Sequence, residues 1–259
     1  MSLEESAVNF FKATKGFGTD EDLIIKEVCD HKNVERQEIK RIYLNKYKKR
    51  LEDALKSELS GNFLKGVLML MTPSANLEAQ ILHDAMKGLG TDKDLLIDFL
   101  CSKTGSELQT LTYAFQNLYD KTLKSWVKAD TSGDLGKLLD QLASSERDEN
   151  SKVDAELAEK DAEALYQAGE KRWGTDEDRF IDILTKRNFA QLNETFKQYK
   201  KKSGKDIEAS IESEMSGDLA KALITIGNIY LFVMHSYFNP ELSKLHYYSI
   251  KIVYLVKFD

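Results

Sequence analysis

The sequence predicts an all-α fold assembled from three copies of one five-helix unit, and three observations carry that expectation. Only two prolines interrupt 259 residues, and the Gly, Asn and Pro clusters that bound short strands are sparse. The pentapeptide Gly18-Thr19-Asp20-Glu21-Asp22 returns as Gly90-Thr91-Asp92-Lys93-Asp94 and as Gly174-Thr175-Asp176-Glu177-Asp178, at spacings of 72 and 84 residues. A second turn, acid-x-Ser-Gly, follows each at one offset of 40 residues: Glu58-Leu59-Ser60-Gly61, Asp130-Thr131-Ser132-Gly133 and Glu214-Met215-Ser216-Gly217. Two motifs holding one register through three copies mark a repeat architecture.

The unit builds up in chain order. A short helix leads into the Gly-Thr turn. Beyond the turn, Ile24, Ile25 and Val28 recur as Leu96, Ile97 and Leu100, then as Phe180, Ile181 and Leu184, one apolar helix face that reads as core. Thr19, Thr91 and Thr175 are expected to cap this helix, with Asp22, Asp94 and Asp178 as capping-box partners. A connecting helix carries Tyr43, Phe115 or Tyr199 inward. The next carries Leu51 and Leu55, Leu123 and Val127, or Ile207 and Ile211, again at helical spacing. The Ser-Gly pair then marks a turn before the last helix. Repeat one is placed at 1–74, repeat two at 75–146, a charged linker at 147–157 and repeat three at 158–228. The tail at 229–259, rich in Tyr, Ile and Val, has neither motif and no clear helical period.

Composition narrows the function. The net charge of -6 argues against a general nucleic-acid binder, which needs a basic face. It also argues against direct docking on anionic lipid, so attachment there needs a bridging cation. The longest apolar run, Ile229 to Met234, is far too short to span a bilayer. Cys29 and Cys101 give no disulfide framework, and with no leader-like start a cytoplasmic protein with reduced thiols is expected. No catalytic constellation appears, so no enzyme is expected.

The residues before each Thr carry the chemistry. They read Thr14-Lys15-Gly16-Phe17-Gly18, Met86-Lys87-Gly88-Leu89-Gly90 and Gly169-Glu170-Lys171-Arg172-Trp173-Gly174, the last one residue longer. Glycines let such a loop turn several carbonyls toward one point, and carbonyl oxygens suit a hard cation. Three carbonyls and a bidentate carboxylate from the distant acid turn give five oxygens. Calcium takes about six to eight, which leaves places for water or a lipid phosphate oxygen. The alternative for a single copy is a plain helix-entry turn; three copies with an acid always at the same distance favour Ca2+. The tips Phe17, Leu89 and Trp173 either enter the headgroup zone or pack on their own repeat.

Lys-Gly-x-Gly-Thr followed by 38 residues and an acid resembles the endonexin motif of the annexin family. The longer third loop and longer second linker resemble those of annexin repeat three. The resemblance covers residues 1 to about 226. It implies a curved disc of five-helix repeats with the calcium loops on its convex face, incomplete after repeat three. By that pattern the ligands would be the carbonyls of Thr14, Gly16 and Gly18 with Glu58; of Met86, Gly88 and Gly90 with Asp130; and of Gly169, Arg172 and Gly174 with Glu214. The implied partner is an anionic phospholipid membrane, bound peripherally when calcium rises. The competing class is a cytoskeletal or scaffold protein with little lipid binding. In annexins a fourth repeat packs on the first; its absence would expose apolar surface on repeat one and invite self-association.

Other signals are set aside. Asp130 to Gln141 fails the EF-hand pattern, with Leu135 and Gln141 where Gly and Glu are needed. Lys48-Lys49-Arg50 and Lys200-Lys201-Lys202 read as solvated loops, with heparin or RNA contact as the alternative. Cys29 and Cys101 sit at equivalent places and read as packing residues. The four histidines show no metal or triad spacing.

Overall fold

The computed structural model describes residues 2–16, 18–88, 90–150, 152–171 and 174–238, with side chains through residue 228. Its described secondary structure is helical throughout. Five helices form each repeat: α1 (Leu3–Ala13), α2 (Glu21–Cys29), α3 (Asn33–Tyr47), α4 (Leu51–Glu58) and α5 (Gly61–Met71) in the first. The second has α6 (Ser74–Met86), α7 (Lys93–Cys101), α8 (Gly105–Tyr119), α9 (Leu123–Asp130) and α10 (Gly133–Ala143). The third has α11 (Ala155–Ala168), α12 (Glu177–Lys186), α13 (Phe189–Ser203), α14 (Ile207–Glu214) and α15 (Gly217–Phe238). The chain divides into two compact units, residues 1–77 and 78–259. None of the described helices is long and apolar enough to cross a membrane. The tip residues Phe17, Leu89 and Trp173, the expected ligand Arg172, and the tail beyond 238 lie outside the described residues.

In the first unit α1 packs on α2 and α3, and α5 on α2, α3 and α4. Phe10, Ile24, Ile39, Leu51 and Leu55 are completely buried there. Their spacing puts one apolar stripe of each helix on a shared centre, the main favourable term in folding. Arg36, itself buried, donates to the carbonyls of Val28 and Leu70 and so closes the ends of α2 and α5.

In the second unit α10 packs on α7, α8 and α9, α15 packs on α12, α13 and α14, and a reciprocal pairing joins the two repeats. Helix α7 of repeat two packs on α15 of repeat three, and α12 of repeat three packs on α10 of repeat two. Two equivalent ion pairs flank the seam, Lys137 to Asp178 and Lys221 to Asp94, each at 2.8 Å. Lys93 adds a contact of 3.0 Å to Asp218. The segment between α10 and α11 is anchored by Arg147, which donates to the carbonyls of Leu184 and Arg187 and lies 4.5 Å from the Phe189 ring. Burial lowers the Arg147 pKa to about 10.

Three expectations are corrected. Ile25 is not core: it is 45% exposed, while its equivalents Ile97 and Ile181 are buried at 0% and 1%. Helices α7 and α12 each meet a helix of the neighbouring repeat, whereas α2 packs on α1 and α5 of its own. Cys29 differs in the same way, being exposed where Cys101 is buried. Lys200-Lys201-Lys202 are not a loop but the last turn of α13, where the helix dipole favours positive charge.

Candidate metal centres

The Gly-Thr loop starts where the first helix of each repeat ends. The amide of Asp20 donates back to the Ala13 carbonyl at 3.0 Å, that of Asp92 to Ala85 at 3.0 Å, and that of Asp176 to Ala168 at 2.9 Å. The loop is therefore pinched shut at its base in all three repeats, and the extra residue of the third is absorbed within the closed loop. The first two loops need glycine: φ is 119° at Gly16 and 91° at Gly18, then 116° at Gly88 and 94° at Gly90. A side chain at these angles strains the backbone. Gly174 keeps the pattern at 81°.

The next helix is capped by the residue after Thr, not by Thr. The carboxylates of Asp20, Asp92 and Asp176 accept from the amides of Leu23, Leu95 and Arg179. Both residue types cap well, so local chemistry alone does not choose between them. The choice is made by a residue far along the chain. Thr19 Oγ1 lies 3.4 Å from Glu58 Oε2, Thr91 Oγ1 3.2 Å from Asp130 Oδ2, and Thr175 Oγ1 3.4 Å from Glu214 Oε2. Each hydroxyl also sits 3.3 to 3.5 Å from the backbone carbonyl of the same acid. With one hydrogen to share, the Thr hydroxyl bridges both oxygens and ties the loop to the acid turn.

The acid turn is prepared by its own sequence. Helices α4, α9 and α14 end at Glu58, Asp130 and Glu214. The chain then runs extended through Leu59, Thr131 and Met215, each of whose amides donates back into the helix just ended. Gly61, Gly133 and Gly217 follow at φ of 60° to 68°. That sharp reversal leaves the last carboxylate of the helix facing the Gly-Thr loop.

The described loop residues Thr14, Gly16, Gly18, Met86, Gly88, Gly90, Gly169 and Gly174 all fall within these closed loops, and Glu58, Asp130 and Glu214 stand beside them. Among the described residues no three His, Cys, Asp or Glu side chains gather as a metal cluster. Beside each closed loop stands one carboxylate held by the loop's Thr hydroxyl. A carboxylate beside a glycine-rich loop suits a hard divalent cation such as calcium, which takes oxygen ligands. The third loop has one further support that the sequence did not reveal. Glu170 accepts from Lys205 Nζ at 2.9 Å on each oxygen and from Ser210 Oγ at 3.0 Å. The Lys205 hydrogen bond holds the Glu170 carboxyl below its ordinary pKa.

Comparison with known proteins gives one answer. The annexin family model matches residues 5–70, 77–142 and 160–226. Mouse annexin A13 is 48% identical over 223 residues, spanning 86% of this chain and 70% of that protein. Human annexin A3 is 44% identical over 227 residues, spanning 88% and 70%. The solved structure of annexin III superposes with a TM-score of 0.83 at 42% identity, covering 89% of this chain and 71% of that one. A calcium-bound annexin (Sm)1 gives 0.80 at 32% identity, covering 88% and 69%. The three matched segments each contain one Gly-Thr loop and its Thr-tethered acid, and on that evidence the chain belongs to the annexin family.

Proposed function

We propose that this chain binds anionic phospholipid surfaces in a calcium-dependent way, through three centres of one design. The ligands in repeat one are the carbonyls of Thr14, Gly16 and Gly18 with the Glu58 carboxylate. In repeat two they are Met86, Gly88 and Gly90 with Asp130. In repeat three they are Gly169 and Gly174 with Glu214, and the family pattern adds Arg172. The observation that carries this reading is the contact of each Thr hydroxyl with an acid 39 residues away.

The chain's own groups do three things. The glycine backbone lets carbonyls converge without side-chain obstruction. The Thr hydroxyl restrains the carboxylate, so less conformational entropy is lost when it binds. The single carboxylate per centre leaves the coordination shell short of the six to eight oxygens calcium takes. Bound Ca2+ supplies positive charge between an acidic protein and an anionic headgroup, with places left for phosphate oxygens.

The test is cosedimentation with phosphatidylserine-containing vesicles. The protein should pellet in calcium and return to the supernatant in chelator. Equal recovery with vesicles under both conditions, or pelleting with cytoskeletal filaments in chelator in place of vesicle binding, would overturn the proposal.

A further inference from the structure

In repeat three the turn between α13 and α14 lies beside the Gly-Thr loop, and its cations are paired within the protein. Lys205 on the turn reaches Glu170 in the loop at 2.9 Å. Lys202 meets Glu163, and Lys200 meets Asp206 at 2.7 Å. The same positions are found in repeat one by register from the loop base, where Ala13 matches Ala168. Lys202 and Lys205 keep their charge there as Lys46 and Lys49. The three acids do not: Val8 stands for Glu163, Lys15 for Glu170 and Arg50 for Asp206.

Packing in repeat one brings these cations together. The Phe11 and Tyr47 rings stack at 4.0 Å, with Lys15 Nζ 5.0 Å from the first ring and Lys46 Nζ 5.7 Å from the second. Lys48, at a φ of 54°, turns the chain directly after Tyr47. All five cations, Lys15, Lys46, Lys48, Lys49 and Arg50, are exposed. Among the described residues no carboxylate pairs with Lys15, Lys46, Lys48 or Lys49. Glu52 lies 3.8 Å from Arg50 but is held at 2.6 Å by Lys40. A chain of net charge -6 thus carries a strongly basic patch beside its first Gly-Thr loop.

We propose that Lys15, Lys46, Lys48, Lys49 and Arg50 bind a lipid headgroup bearing phosphomonoesters, that of a phosphoinositide, without calcium. A phosphomonoester carries about -1.5 to -2 charges at pH 7 and offers three acceptor oxygens, so it needs several cations at one place. Clusters of roughly four to eight Lys or Arg at a membrane surface suit that headgroup class. The patch is confined to one turn and one loop. The matching turn carries Asp120 in repeat two and Asp206 in repeat three. A compact headgroup therefore fits it better than a long polyanion such as heparin or RNA. The inference rests on the membrane reading of the loops, because Lys15 stands between the ligand positions Thr14 and Gly16.

The experiment is cosedimentation of the full chain, in chelator, with phosphatidylcholine vesicles with and without phosphatidylinositol bisphosphate. The wild type should pellet only with the phosphoinositide present. The combined variant Lys46→Gln, Lys48→Gln, Lys49→Gln should bind about a hundredfold more weakly at unchanged helix content, since each charge near the surface is worth about fivefold. It should still pellet with phosphatidylserine vesicles in calcium. Soluble inositol trisphosphate should release the wild type from the vesicles, and equimolar inorganic phosphate should not. Failure of calcium-dependent pelleting on phosphatidylserine, with phosphoinositide binding intact, would overturn the calcium reading alone. No phosphoinositide binding by the wild type in chelator, or binding that the Gln variant retains, would overturn the present proposal. So would release by inorganic phosphate, or tighter binding to heparin or RNA than to the headgroup.

Discussion

Thr91 Oγ1 lies 3.2 Å from Asp130 Oδ2 and 3.4 Å from the carbonyl oxygen of the same residue. One hydroxyl thereby fixes the position of a carboxylate 39 residues along the chain, and the arrangement recurs at Thr19 with Glu58 and Thr175 with Glu214. The Thr of each loop ties it to the acid turn, and the following Asp caps the helix.

Removing that tether is the first test. Thr91→Val keeps the volume and deletes the hydroxyl. It should cost the repeat-two centre about 1 kcal/mol, or about fivefold in calcium affinity, because the carboxylate must then be ordered on binding. Thr91→Ser should recover most of the loss. Calcium titration in the presence of anionic vesicles reads both, and a Val variant equal to wild type would show that the hydroxyl has no such role.

Acid should release the third loop. Glu170 is held below its ordinary value of 4.5 chiefly by its hydrogen bond from Lys205. Its ionised form is therefore favoured in the folded state. The stabilisation is complete above pH 4.5, declines as pH falls, and is gone below the depressed folded value. Glu170→Gln should lower Tm at neutral pH, with the gap to wild type closing in acid. A gap of constant size across that range would contradict the assignment.

The three equivalent isoleucines should separate. Ile97→Lys and Ile181→Lys bury an unpaired charge and should each cost about 4 kcal/mol or more. Ile25→Lys should change the folding stability of the monomer by less than about 0.5 kcal/mol. Urea unfolding of dilute protein measures all three, and equal losses would show that the α2 face is covered within the monomer.

The thiols should differ for the same reason. Burial pushes the Cys101 thiol up to about 12, so almost no thiolate forms at neutral pH. Alkylation of dilute native protein should modify Cys29 alone, and both cysteines only in denaturant. Labelling of Cys101 in the native protein would contradict the packing described for α7.

These positions also mark where the sequence was legible. The helix faces were, because a stripe such as Leu96, Ile97 and Leu100 is a local pattern that three copies confirm. The loops and acids were legible too, because glycines and a fixed 40-residue offset survive in the bare string. The cap was not: Thr and Asp are adjacent and both cap helices, and what separates them is a partner 39 residues away. The exposure of Ile25 was not legible either. Its own helix is patterned like α7 and α12, and burial there depends on a helix from another repeat. Glu170 gave no signal, since Lys205 and Ser210 meet it only after α13 has carried the chain across the repeat.

The central claim is that each closed loop and its tethered acid hold one calcium ion between them. Isothermal titration of calcium into protein on phosphatidylserine-containing vesicles tests it most directly, comparing wild type with the combined variant Glu58→Gln, Asp130→Asn, Glu214→Gln. These changes keep size and hydrogen bonding and remove only the three charges. The predicted result is calcium binding in the wild type that is abolished in the variant at unchanged helix content; a variant that binds calcium like the wild type would contradict the account.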